Sequence, residues 1–176
     1  MKYLGRVFNI LIWGLVIVLL LQRLSLWQKE NQQKGQQIEP TVVQLLQADG
    51  TLTPTPLFSD SSRKVLIFWA TWCGPCTVEL SRVQKLIAKN EIPSKDILAI
   101  SIQEAPGTVL QALKERKYTF PVALDLDGKI AHDFQVRGTP TTVYLENGKV
   151  ARISTGLSLL VEKNLKDFLN QPHQGL

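Results

Sequence analysis

From Val65 to Trp69 the chain runs through five apolar residues without a polar interruption. Beyond them the pattern changes. Cys76, Leu80, Val83 and Ile87 recur at spacings of four, three and four, the period of a helix with one apolar face. The first run predicts a strand buried on both faces, and the second a helix from near Cys73 to about Asn90. Ile97–Ile102 repeats the buried-strand pattern. Pro106-Gly107-Thr108 then opens a helix carrying Val109, Leu110 and Leu113, with Arg116 and Lys117 in its last turn, where cations suit the helix dipole. Val122–Leu124 predicts a short strand ending at Asp125-Leu126-Asp127-Gly128, and Ile130, Ala131 and Phe134 a short helix. Thr141–Leu145 and Val150–Ser154 flank Glu146-Asn147-Gly148-Lys149, the strongest hairpin signal in the chain. A last helix carries Val161, Leu165, Phe168 and Leu169, with Ser158 as its expected cap.

Upstream, Val42, Val43, Leu45 and Leu46 predict a first strand, turning at Asp49-Gly50 and returning through Leu52. Thr53–Ser62, with Pro54 and Pro56, reads as loop. Strands joined through helices imply parallel pairs, whereas the Asn147-Gly148 hairpin implies an antiparallel one. The expectation is an α/β domain, residues 41–176, with a central mixed sheet flanked by helices on both faces.

The N-terminus differs in kind. Lys2 and Arg6 precede a run that is uncharged from Val7 to Gln22, and Leu24, Leu26 and Trp27 extend it past Arg23. Val7 to Trp27 is 21 residues, enough for a hydrocarbon core that needs about 20. No small-residue cleavage site follows, so residues 1–27 read as an uncleaved signal anchor. Gln28–Pro40 is polar and cannot bury a core, which predicts a flexible tether. The basic N-terminus ahead of an apolar run predicts a single-pass protein with its domain outside the cytoplasm.

Charge adds one exclusion. Of the 20 basic residues, Lys2, Arg6, Arg23, Lys29 and Lys34 lie in the first 37 positions against Glu30 alone. The net charge of +5 therefore belongs mostly to the anchor region, and the domain is nearly neutral. No basic stripe with interleaved aromatics appears, so nucleic acid is not the expected partner.

The candidate chemistry sits where the buried strand hands over to the helix. Trp72-Cys73-Gly74-Pro75-Cys76 contains the only two cysteines. A helix N-terminus presents unpaired N–H groups and partial positive charge, which stabilise a thiolate. Cys73 is thus the expected nucleophile, and Cys76 can resolve a mixed disulfide formed on it. Pro75 is tolerated in the first helical turn, Gly74 allows close approach of a partner, and Trp72 shields the pair or contacts substrate. A structural zinc site needs about four ligands, and His132 and His173 are far along the chain from the cysteines. An inert bridge closing so small a loop would constrain the unfolded chain little. Redox chemistry without metal or organic cofactor is the expectation, with a soft-metal clamp for copper as the alternative. Glu79, three residues after Cys76 on the same helical face, can carry a proton to or from it.

Phe68–Cys76 resembles the active-site signature of the thioredoxin superfamily, and Gly138-Thr139-Pro140-Thr141 resembles its cis-proline loop. With the N-terminal segment, residues 40–170 look most like the membrane-anchored thiol–disulfide oxidoreductases of the TlpA/ResA/DsbE type. The resemblance implies a thioredoxin-like fold, a cis bond before Pro140, and a docking role for Thr139 and Pro140 against an extended substrate. It gives Glu79 the place of that subfamily's acidic residue. Ile67 stands where cytosolic thioredoxins carry a buried aspartate, so Glu79 is the base left to this chain. The Gly-Pro pair resembles reducing members near about −270 mV more than oxidising ones near about −120 mV. A reductase on the periplasmic side of a bacterial inner membrane implies a transmembrane thiol carrier as electron donor. Its implied substrates are exported proteins with disulfides or thiols, including apocytochrome c, another disulfide enzyme or oxidatively damaged proteins. An oxidase or isomerase is the competing direction.

Overall fold

Alternate residues of a strand point to opposite faces of its sheet, and strand β3 (Arg63–Trp69) is apolar on both. Val65, Ile67 and Trp69 enter one buried cluster, and Leu66 and Phe68 enter another across the sheet. The computed structural model describes residues 12–21, 34–38, 41–57 and 63–171. Around β3 it builds a seven-stranded mixed sheet in the order β2-β1-β5-β4-β3-β6-β7. The strands are β1 (Val42–Leu46), β2 (Leu52–Pro56), β3, β4 (Ile97–Ile102), β5 (Val122–Asp125), β6 (Thr141–Glu146) and β7 (Lys149–Thr155).

The helix-linked β3–β4 and β4–β5 pairs are parallel, the turn-linked β1–β2 and β6–β7 pairs are antiparallel, and so are β1–β5 and β3–β6. Helices α1 (Gly74–Ala88), α2 (Pro106–Arg116) and α4 (Val161–Leu169) bury Leu80, Val83, Val109 and Leu165 with the face of β3 that carries Val65 and Ile67. The short α3 (Lys129–Asp133) sends Ala131 to the other face, joined by Phe134. This is the thioredoxin-like arrangement expected from the sequence. Asn147 and Gly148 both take positive φ, 51° and 72°, which is what a two-residue hairpin turn demands and what Asn-Gly tolerates.

Three expectations need correction. Thr53–Ser62 is not all loop: Leu52–Pro56 is β2, paired among the described residues with β1 alone at the edge of the sheet. An edge strand has one unpaired side, so prolines that would break a central strand are accommodated there. Leu160, not Ser158, holds the N-cap position of α4; the Ser158 hydroxyl oxygen accepts the Leu160 N–H at 3.3 Å just ahead of the helix, and the N–H of Ser158 itself goes to Glu79. The expected tether is pinned in part. Gln37 bridges to Lys149, and the N–H groups of Gly35 and Ile38 reach the carbonyls of Val150 and Gly148 at 2.7 and 2.9 Å. Polar composition does not prevent this, because the pairing uses backbone groups that every residue carries.

Residues 12–21 are helical. Among the described residues, no helix is long and apolar enough to cross a membrane. The rest of the expected anchor, 1–11 and 22–27, lies outside the described residues, as do 28–33, 39–40, 172–176 and, from the expected loop, 58–62.

Candidate active site

The chain leaves β3 at Trp69, turns, and enters α1 with Cys73 at the N-cap. The Cys73 N–H closes the turn on the Ala70 carbonyl at 3.1 Å. Cys73 and Cys76 are joined in a disulfide, their Cα atoms 5.2 Å apart. The Cys73 sulfur also accepts the Cys76 N–H at 3.2 Å, so it fills the capping position that a serine or aspartate oxygen takes elsewhere. The helix start thus aims an N–H and the positive end of its dipole at the Cys73 sulfur, a setting that favours negative charge there. Cys76 is fully buried and Cys73 nearly so, while Trp72, at 78% exposure, and Gly74 and Pro75 stand in solvent around them.

Thr139 and Pro140 reach the same end of the sheet from the far side of β3. Phe68 pairs with Thr141, so the Thr139–Pro140 peptide comes level with the chain leaving β3. That peptide is cis, and Pro140 is buried. The Pro140 carbonyl takes the Gly156 N–H at 2.7 Å. The backbone N–H and carbonyl of Thr139 take no partner among the described residues.

Glu79 lies beneath the cysteines on α1 at 1% exposure, more deeply buried than its spacing alone implied. Its Oε1 accepts the Thr142 hydroxyl at 2.7 Å and its Oε2 the Ser158 N–H at 3.0 Å. Ile67 pairs with Thr142 across the β3–β6 ladder, so Glu79 is tied to the strand beside that apolar position. Two strand positions on, burial holds the Tyr144 phenol above its usual range, with Arg152 opposing the shift and Glu79 adding to it.

One group of residues escaped the sequence reading. Glu104, beyond the end of β4, accepts the Thr71 N–H, the Thr71 hydroxyl and the Ser101 hydroxyl. Arg116, at the end of α2, donates to the Thr71 carbonyl at 2.8 Å. The available signal was positional: β3 and β4 are adjacent buried strands, so polar residues just past both C-terminal ends converge. Arg137, shortly before the cis-proline loop, and His132 are both exposed; His132 stands 3.5 Å from Asp133. Among the described residues, no three His, Cys, Asp or Glu side chains gather as a metal site.

Comparison with known proteins agrees with this geometry. The chain is 34% identical over 107 residues to the thiol-disulfide oxidoreductase ResA of Oceanobacillus iheyensis, covering 60% of this chain and 55% of that protein. It is 30% identical over 106 residues to ResA of Bacillus subtilis, covering 60% of this chain and 58% of that one. The matches therefore span a little over half the length of these relatives. Among solved structures, StoA from Bacillus subtilis shares the fold at a TM-score of 0.62 and 22% identity, over 74% of this chain and 97% of that one. The profile of the AhpC/TSA family matches residues 35–153, from the strip paired to β7 through most of β7 itself. A match over that much of the chain, on the fold just described, makes this protein a member of the AhpC/TSA family.

Proposed function

We propose that this protein is a thiol–disulfide oxidoreductase, working as a protein disulfide reductase outside the cytoplasm. The observation that carries the reading is the Cys73–Cys76 disulfide at the N-cap of α1, beside the open backbone of Thr139. The thiol-disulfide oxidoreductase activity for which the ResA relatives are named supports it.

In the reduced protein, the Cys73 thiolate attacks one sulfur of a substrate disulfide. A mixed disulfide forms and the other substrate sulfur leaves as a thiolate. Cys76 then gives up its proton and attacks the Cys73 sulfur. The Cys73–Cys76 bond closes and the second substrate thiol is released. Two electrons have passed to substrate, and a dithiol donor must return them before the next cycle. Glu79 is the buried carboxylate beneath Cys76 that can hold the proton Cys76 loses. The free N–H and carbonyl of Thr139 can pair with an extended substrate strand, and the proline beside it keeps that edge clear. Trp72, Gly74 and Pro75 form the exposed lip over which the substrate sulfur approaches.

The N-terminal segment, residues 1–27, would hold the domain at the outer face of a bacterial inner membrane, and a transmembrane thiol carrier would be the donor. Exported proteins with disulfides would be the substrates.

The test is the reduction potential of the Cys73–Cys76 couple, measured by equilibration against glutathione and dithiothreitol, together with turnover of insulin disulfides. A potential well below about −180 mV with insulin reduction supports a reductase. A potential near about −120 mV makes the protein an oxidase. Stoichiometric Cu(I) binding without any disulfide reduction would replace the reading with a metal-handling one.

A further inference from the structure

Thr71 sits between β3 and α1, two residues before Cys73, and each polar group it carries is held from outside its own loop. Its N–H is shared between the two Glu104 carboxylate oxygens at 3.1 and 2.9 Å, and its hydroxyl donates to Glu104 Oε1. Its carbonyl takes Arg116 Nη2 at 2.8 Å. Glu104 is itself steadied by the Ser101 hydroxyl at 2.6 Å, and the Arg116 guanidinium lies 6.0 Å from the Trp69 ring. The parallel register sets Trp69 beside Ser101, so the chain leaving β4 is delivered to the chain leaving β3. These bonds all involve an ionised partner, the stronger class of hydrogen bond.

We propose that Glu104 and Arg116 are positioning residues for the dithiol, acting through Thr71 and resting on the redox reading of Cys73 and Cys76 given above. Neither touches a cysteine. With Thr71 held at both ends of its peptide units, the Cys73 N–H stays on the Ala70 carbonyl and the Cys73 sulfur stays over the Cys76 N–H. An intramolecular disulfide closes more readily the higher the effective concentration of one thiol at the other. The clamp keeps that concentration high in the reduced protein and so favours the closed Cys73–Cys76 bond. Most of the effect comes from the acceptor oxygens that Glu104 places on Thr71, and the smaller part from their charge.

The experiment equilibrates the full chain with glutathione and its disulfide. Each exchange converts one glutathione disulfide and the Cys73–Cys76 dithiol into two glutathione thiols and the closed protein bond. The oxidised fraction is read by alkylation and mass. In Glu104→Ala the equilibrium constant for closing the bond falls about tenfold, the scale of one lost hydrogen bond to a charged group, which is a potential about 30 mV higher. In Glu104→Gln, whose amide oxygen still accepts from Thr71, it stays within about threefold of the unmodified protein. Alanine and glutamine variants that behave alike would overturn the proposal, because charge would then be the cause. So would an alanine variant within about twofold of the unmodified protein. If circular dichroism shows that Glu104→Ala does not fold, Thr71→Val decides: a constant about threefold lower supports the clamp and an unchanged one overturns it. Failure of the unmodified protein to reduce insulin would sink the proposed function, yet the closing constant would still be measurable, so the two failures are distinct.

Discussion

The Glu79 carboxylate meets the Thr142 hydroxyl at 2.7 Å, joining residues 63 positions apart. Its other oxygen holds the Ser158 N–H at 3.0 Å, so α1, β6 and the approach to α4 meet at one buried acid. Glu79→Ala orphans both donors and should cost about 1–3 kcal/mol in urea denaturation, whereas Glu79→Gln, which keeps one acceptor oxygen, should cost less. For catalysis the order reverses in interest. Glu79→Gln should slow thiol exchange and alter its pH–rate profile, and an unchanged profile would remove Glu79 from the proton path.

The proposed division of labour between the cysteines predicts an asymmetry. Cys76→Ser leaves the attacking sulfur without its resolver, so a mixed disulfide with a peptide substrate should accumulate on Cys73. Cys73→Ser should trap little or none. Non-reducing electrophoresis after mixing with a disulfide peptide reads the difference, and equal trapping by both variants would reassign the nucleophile.

Stability and recognition should separate cleanly on α1 and the turn before it. Leu80 is fully buried where α1 meets the sheet, so Leu80→Ala should cost about 2–5 kcal/mol. Trp72 is 78% exposed, and Trp72→Ala should leave the urea midpoint nearly unchanged while lowering kcat/KM toward a protein disulfide. A loss of stability in Trp72→Ala would show that its ring packs on the fold.

The Lys166 ammonium lies 3.0 Å from Glu91 and ties α4 to the segment after α1. The hydrogen bond to Lys166 holds the Glu91 carboxyl below its ordinary value. A folded-state value below the unfolded one contributes stability at neutral pH that is lost as pH falls through the folded value. Both partners are at the surface, so the effect is small and screened by salt. Glu91→Gln should lower Tm slightly at pH 7 and not at all once the pH is well below about 4, the ordinary carboxyl range. A difference that persists undiminished in acid would mean that the pair is not its source.

Much of the fold was legible because its signals are local. Val65–Trp69, the Cys76–Ile87 periodicity and Asn147-Gly148 each carry a period or a turn preference within a few residues, and each formed the expected element. Pro140 was legible through the resemblance of its loop, and its cis bond is present. The misses were questions of partnership. Pro54 and Pro56 look like loop until β2 is known to lie at an edge. Ser158 looks like the cap until Leu160 is found in that position, with the Ser158 hydroxyl on the Leu160 N–H and its own N–H on Glu79. Gln37 looks like tether until β7 offers it a free edge.

The sequence by itself determined where the candidate chemistry lies: two cysteines in a strand-to-helix turn, with an acid one helical step below. Side-chain type and local period are written residue by residue, so a cysteine pair at a helix start is legible without any tertiary contact. Only the tertiary structure decided what surrounds that dithiol. Thr142 and Ser158 reached Glu79, and Glu104 and Arg116 reached Thr71, because buried polar groups must find partners wherever the packed chain supplies them. Those partners lie 33 to 79 positions away, beyond the range of any local pattern.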